Sequence, residues 1–113
     1  MASANKRKGT EWESAVRDFL LSHGIPARRV AQTGQLDTGD IHGIDPFVGQ
    51  AKNWATLAEA LNEGLKGAKV QAARVHPDAL PVVFVKRRGK GTADGYAVMD
   101  IATYARVNAR LRE

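Results

Sequence analysis

Apolar residues at Trp12, Ala15, Val16, Phe19 and Leu20 recur at steps of three and four, the spacing of one helical face. Thr10-x-x-Glu13 reads as a capping box that opens this helix, and His23-Gly24-Ile25-Pro26 supplies its stop. Residues 1–8 are small, polar or basic and read as a flexible arm ahead of a single domain over residues 9–113. From Pro26 to about Gln32 the pattern suits an edge strand, and Thr33 to Gly39 carries two glycines and reads as a loop. Ile41 to Ile44 is a short strand, Asp45-Pro46 a turn, and Phe47 to Trp54 a better strand. A second capping box, Thr56-x-x-Glu59, precedes Leu57, Leu61, Leu65, Ala68, Ala72 and Val75, which predict a long amphipathic helix. Gly64 and Gly67 interrupt that helix, each at a cost of about 1 kcal/mol relative to Ala. Their lack of a side chain would let another backbone approach closely.

Pro81-Val82-Val83-Phe84-Val85 is nearly continuous in apolar character, as expected of a central strand buried on both faces. Lys86 to Gly95 reads as a basic, glycine-rich turn and Tyr96 to Met99 as a returning strand. Asp100 can cap a last helix with Ile101, Tyr104, Ala105, Asn108 and Leu111 along one side. The expected order is α-β-β-β-α-β-β-α, an α/β fold with a central mixed sheet flanked by helices.

Composition narrows the picture. At 113 residues the chain supports one core and not two. Its longest apolar run falls far short of the roughly 20 residues of a membrane span, and the basic start is not followed by the apolar stretch of a signal peptide. A cytoplasmic protein with no membrane partner is the expectation. The absence of cysteine removes disulfides, thiolate metal sites and cysteine nucleophiles. Lys and Arg number 17 against 12 acids, a net charge of +5, which favours a polyanionic partner.

The candidate chemistry gathers around Asp40-Ile41-His42 and Gln50-Ala51-Lys52. Residues two apart on a strand share a face, so Gln50 and Lys52 project together. If the two segments pair as a hairpin, Asp40 joins them at one end of the sheet. A carboxylate with carbonyl oxygens suits a hard cation such as Mg²⁺, and a lysine beside it can stabilise developing negative charge. Glu13 borders the buried stripe of the first helix and can face the sheet, although local pattern alone favours its completing the capping box with Thr10. The basic positions form three groups: Lys6-Arg7-Lys8, Arg28-Arg29, and Lys86-Arg87-Arg88-Gly89-Lys90. The third sits in a glycine-rich turn, where a phosphate chain can approach closely. His23, His42 and His76 are too scattered for a metal site, and Trp54 reads as a packing residue.

Gly9-Thr10-x-x-Glu13, Arg28-Arg29-Val30, Gly39-Asp40-Ile41 and Gln50-Ala51-Lys52 together resemble the PD-(D/E)-x-K nuclease pattern. The arrangement is most similar to the small Holliday-junction resolvases of archaeal type, including bacteriophage relatives. That resemblance implies a restriction-endonuclease-like core and a homodimeric endonuclease resolving four-way DNA junctions by paired nicks. The cofactor it implies is Mg²⁺, with Mn²⁺ as a substitute and no small-molecule cofactor. It also implies Glu13, Asp40, Gln50 and Lys52 as the active-site residues, Asp40, Gln50 and the Ala51 backbone carbonyl as metal ligands, Glu13 as holding a metal-bound water or a second ion, and Thr33 as an assisting hydroxyl. A phage-encoded member would act in the cytoplasm of its host cell. The family has a glutamate where this chain has Gln50, and an amide oxygen brings no charge to a metal. A non-cleaving junction-binding module and a general nickase or flap endonuclease are therefore the alternatives.

Overall fold

The structure, a computed structural model, describes the backbone of residues 4–31 and 39–113 and the side chains of 11–30 and 40–113. Helix α1 (Ala4–Ser22) leads into strands β1 (Arg28–Ala31), β2 (Gly39–Ile44) and β3 (Phe47–Ala51). Helix α2 (Leu57–Glu59) passes through a π turn (Ala60–Gly64) into α3 (Leu65–Val75). Strand β4 (Leu80–Val85), a 3₁₀ turn (Thr92–Asp94), β5 (Tyr96–Val98) and α4 (Ile101–Leu111) complete the chain. The strands form one five-stranded sheet in the order β1-β2-β3-β4-β5. All neighbours are antiparallel except β3 and β4, which run parallel across the helical crossover. This is the α/β mixed sheet flanked by helices that the alternation of patterns predicts.

The sheet carries a core on each face. Trp12 and Val16 of α1 pack with Ile41, Ala51 and Val82 on one side. The Trp12 indole N–H donates to the Phe84 carbonyl at 2.9 Å, so the ring is buried with its polar atom satisfied. On the other side Ala60 and Ala68 pack with Val83 and Val85, with Trp54 and Leu65 against them. Successive residues of a strand point to opposite faces, which is why Val82 and Val83 fall into different clusters. As the apolar run 81–85 predicts, β4 lies inside the sheet between β3 and β5 and is buried on both sides.

Several boundaries differ from the expected ones. α1 begins at Ala4, so Thr10 lies within the helix and residues 4–8, expected in an arm, form its first turns. β2 begins at Gly39 and so includes Asp40, whereas β3 stops at Ala51 and leaves Lys52, Asn53 and Trp54 beyond the strand. The expected loop at 33–38, with Thr33, lies outside the described residues. The capping hydroxyl at Thr56 forms as expected, accepting from the Glu59 N–H at 3.1 Å. α4 departs most. Its expected apolar side faces outward, with Ile101 85%, Tyr104 57% and Leu111 79% exposed, and Thr103 is the residue it buries. Asp100 caps the helix by accepting from the Thr103 N–H and pairs with Lys69 of α3. Among the described residues no helix is long and apolar enough to cross a membrane.

The β2–β3 hairpin turns at Asp45-Pro46, a cis peptide, and its register shifts between Ile41 and Ile44. Gly43 sits there with φ near +79°, and a methyl group at that position would collide with the Pro26 carbonyl. Only glycine meets both demands. The register beyond the shift is what aligns the candidate site.

Candidate functional site

Antiparallel pairing of β2 and β3 places Asp40 directly opposite Gln50, and Ile41 opposite Gly49. Directly opposed residues share a face with Cβ atoms roughly 4.5–5.5 Å apart. Ile41 and Ala51 belong to the α1-side cluster, so Asp40 and Gln50 point to the α3 side. Both are buried, Asp40 1% and Gln50 5% exposed. Helix α3 lies immediately over the amide: a methyl group on Gly67 would sit 2.5 Å from Gln50 Oε1. Gly67 is thus a close-approach glycine, and what approaches is the Gln50 side chain. Gly64 does the same a turn earlier, where an added methyl would meet Val83 and the Trp54 ring at about 3 Å.

Glu13 reaches the sheet from the α1 side. It is buried, and its Oε2 accepts from the Arg29 guanidinium at 2.8 Å. Arg29 stands opposite Ile41 in the β1–β2 register and therefore shares the α1 face. The expected quartet is consequently not arrayed on one face. Asp40 and Gln50 form a cross-strand pair on the α3 side, Glu13 is held by Arg29 on the other, and Lys52 follows β3, half-buried and without an ion pair among the described residues. Among the described residues no three His, Cys, Asp or Glu side chains gather in a way that could hold a metal ion. The donors nearest to such a role are all oxygens: the Asp40 carboxylate, the Gln50 amide oxygen and the Ala51 carbonyl.

The basic groups divide in the same way. Lys6, Arg7 and Lys8 lie in the first turns of α1, with side chains outside the described residues. Arg28 is exposed on β1, whereas Arg29 is engaged by Glu13. Lys86, Arg88 and Lys90 are exposed on the turn after β4, and Arg87 is half-buried with its guanidinium 5.0 Å from the centre of the Tyr96 ring. Local pattern does not single out Tyr96 as a functional residue; an aromatic opening the strand that follows a basic turn is the signal that points to it. Compared with known proteins, the chain matches no protein-family model, no curated protein and no solved structure.

Proposed function

We propose that this chain is a structure-specific endodeoxyribonuclease that resolves four-way DNA junctions by Mg²⁺-dependent phosphodiester hydrolysis, as a homodimer on a restriction-endonuclease-like core. The observation that carries the reading is the register pair. Asp40 faces Gln50 across the hairpin, and Lys52 follows where β3 leaves the sheet. A chain of net charge +5 surrounds this pair, and a polyanion is its natural partner.

The donor set fits a hard divalent cation in kind, since one carboxylate with neutral oxygens and water is a usual Mg²⁺ environment. Asp40, Gln50 and the Ala51 carbonyl would hold it. Such an ion, when bound, polarises a phosphate and lowers the pKa of an attacking water. In this reading the Lys52 ammonium stabilises charge developing on the phosphate oxygens. Glu13, whose carboxylate Arg29 holds on the α1 side of the sheet, is given no part in holding this ion. The exposed cations Arg28 and Lys90, outside the cleft beside β4, hold the backbone of the DNA arms without reading bases.

A second reading, a junction-binding module that does not cut, is favoured by one specific feature. Gln50 brings no charge and its amide is seated beneath Gly67. Incubation of a labelled four-way junction and a linear duplex of matched sequence, with and without Mg²⁺, separates the two. The nuclease reading expects paired Mg²⁺-dependent nicks confined to the junction. Asp40→Asn and Lys52→Ala should each slow cutting by about 10²–10³, the cost typical of losing one charge-stabilising group, with junction affinity within a few fold. Selective junction binding with no cutting would establish the second reading, and equal cleavage of the linear duplex would sink junction specificity.

A further inference from the structure

Because β3 and β4 are parallel, with Ala51 opposite Phe84, the segments that follow them leave the sheet at the same end. Between these segments lies an open cleft of about 870 Å³. Asn53 and Trp54 line one wall, Lys86, Arg87 and Arg88 the other, and Tyr96 of β5 lies beside the latter. Lys86 and Arg88 are exposed and form no ion pair among the described residues. Arg87 lies over the Tyr96 ring and donates to the Asp94 carbonyl at 3.4 Å, so this cation is ordered against an aromatic surface. Tyr96 is 47% exposed; Trp54 is half-buried, with some of its indole against Gly64.

We propose that this cleft holds an unpaired DNA strand, with bases against Trp54 and Tyr96 and phosphates on Lys86 and Arg88. Single-strand recognition combines a cationic groove with aromatic surfaces, because every base has a π face and every nucleotide a phosphate. In a duplex those faces are already stacked on one another, so the aromatic wall favours unpaired nucleotides alone. The inference deepens the nuclease reading and rests on it for the source of the strand. The lining of the cleft includes Asn53, the residue that follows Lys52. The opened centre of a junction supplies such a strand. Glu11, the one acid among the described lining residues, opposes binding.

The test is fluorescence anisotropy of a labelled oligo(dT) and of a hairpin duplex with the same number of phosphates, in EDTA so that nothing is cut. Oligo(dT) should bind the more tightly. Tyr96→Ala should weaken it by about 5- to 150-fold, the loss expected for one stacked base, with circular dichroism melts confirming that the variant folds. Lys86→Gln combined with Arg88→Gln should reduce the salt slope by about 1.4, at roughly 0.7 per contact on a single strand. Glu11→Gln should tighten binding. Equal affinity for the duplex with no response to Tyr96→Ala would overturn the proposal, as would an unchanged salt slope. If the wild type cuts junctions and yet shows no preference for oligo(dT), the cleft proposal fails and the nuclease reading stands. If oligo(dT) binds as described and no junction is cut, the cleft proposal stands and the nuclease reading fails.

Discussion

Asp40 and Gln50 show how one neighbour sets the meaning of a residue. Their carboxylate and amide groups face the same side from two antiparallel strands in a buried setting, 1% and 5% exposed. With an amide at position 50 the pair carries one carboxylate. With a glutamate it would carry two, and opposed like charges in a buried site are costly unless a cation lies between them. Gln50→Glu should therefore lower the melting temperature in EDTA, and Mg²⁺ should restore it, which reads metal binding without any cleavage. A variant melting like the wild type in EDTA and unmoved by Mg²⁺ would show that position 50 does not face a cation site. Glu13 illustrates the converse: its ion pair with Arg29 places on the α1 side a carboxylate that its sequence position alone leaves free to cap a helix.

At the scale of elements, the informative segment is the helix from Leu57 to Val75 with its π turn. The two glycines expected to weaken it are positions where neighbouring side chains leave little room for a methyl group. They differ in what opposes them. At Gly64 an added methyl meets a branched valine buried at 0% exposure and an indole ring, neither of which can move far. At Gly67 it meets the end of a flexible glutamine side chain. Overpacking costs about 1–3 kcal/mol, and Gly→Ala in a helix gains about 1. Gly64→Ala should therefore destabilise, whereas Gly67→Ala should change stability little while displacing the Gln50 amide. Denaturant melts of the two variants check the contrast, and equal losses would contradict it.

For the molecule as a whole, α4 buries no apolar residue, and Asp100 at its start joins it to α3 through Lys69. The hydrogen bond from Lys69, then those from Thr103, keep the Asp100 carboxyl well below the usual carboxylate range. A carboxyl whose pKa is depressed on folding stabilises the native state above its unfolded pKa of about 3.9. That contribution is lost as pH falls through the lower folded value. Asp100→Asn keeps a capping side chain and removes the charge, so it should melt below the wild type near pH 7, and the gap should close progressively on acidification below about pH 4. A gap that persists in acid would show that the charge is not what secures α4. Asp100→Ala also removes the cap and should cost about 1 kcal/mol more.

Local pattern by itself determined the elements and their order: helical spacing in α1 and α3, the cap at Thr56, the doubly buried β4, and therefore an α/β sheet with helices on both faces. These follow from the periods of 3.6 and 2 and from side-chain hydrogen bonds to nearby backbone, all of which operate within a few residues. The site is only partly legible at that level. Asp40 and Gln50 stand out as candidates, and the strand register that opposes them is consistent with the hairpin expected from the turn at Asp45-Pro46. Three matters were left to tertiary structure. Which face each candidate shares depends on register against Ile41 and Ala51, and this separated Glu13 and Arg29 from Asp40 and Gln50. The outward turn of Ile101, Tyr104 and Leu111 was decided by tertiary packing, because an amphipathic stripe cannot say which partner will cover it. The meeting of Trp54 with Arg87 and Tyr96 in one cleft depends on β3 and β4 being parallel neighbours, a pairing across the whole helical crossover that no local period encodes.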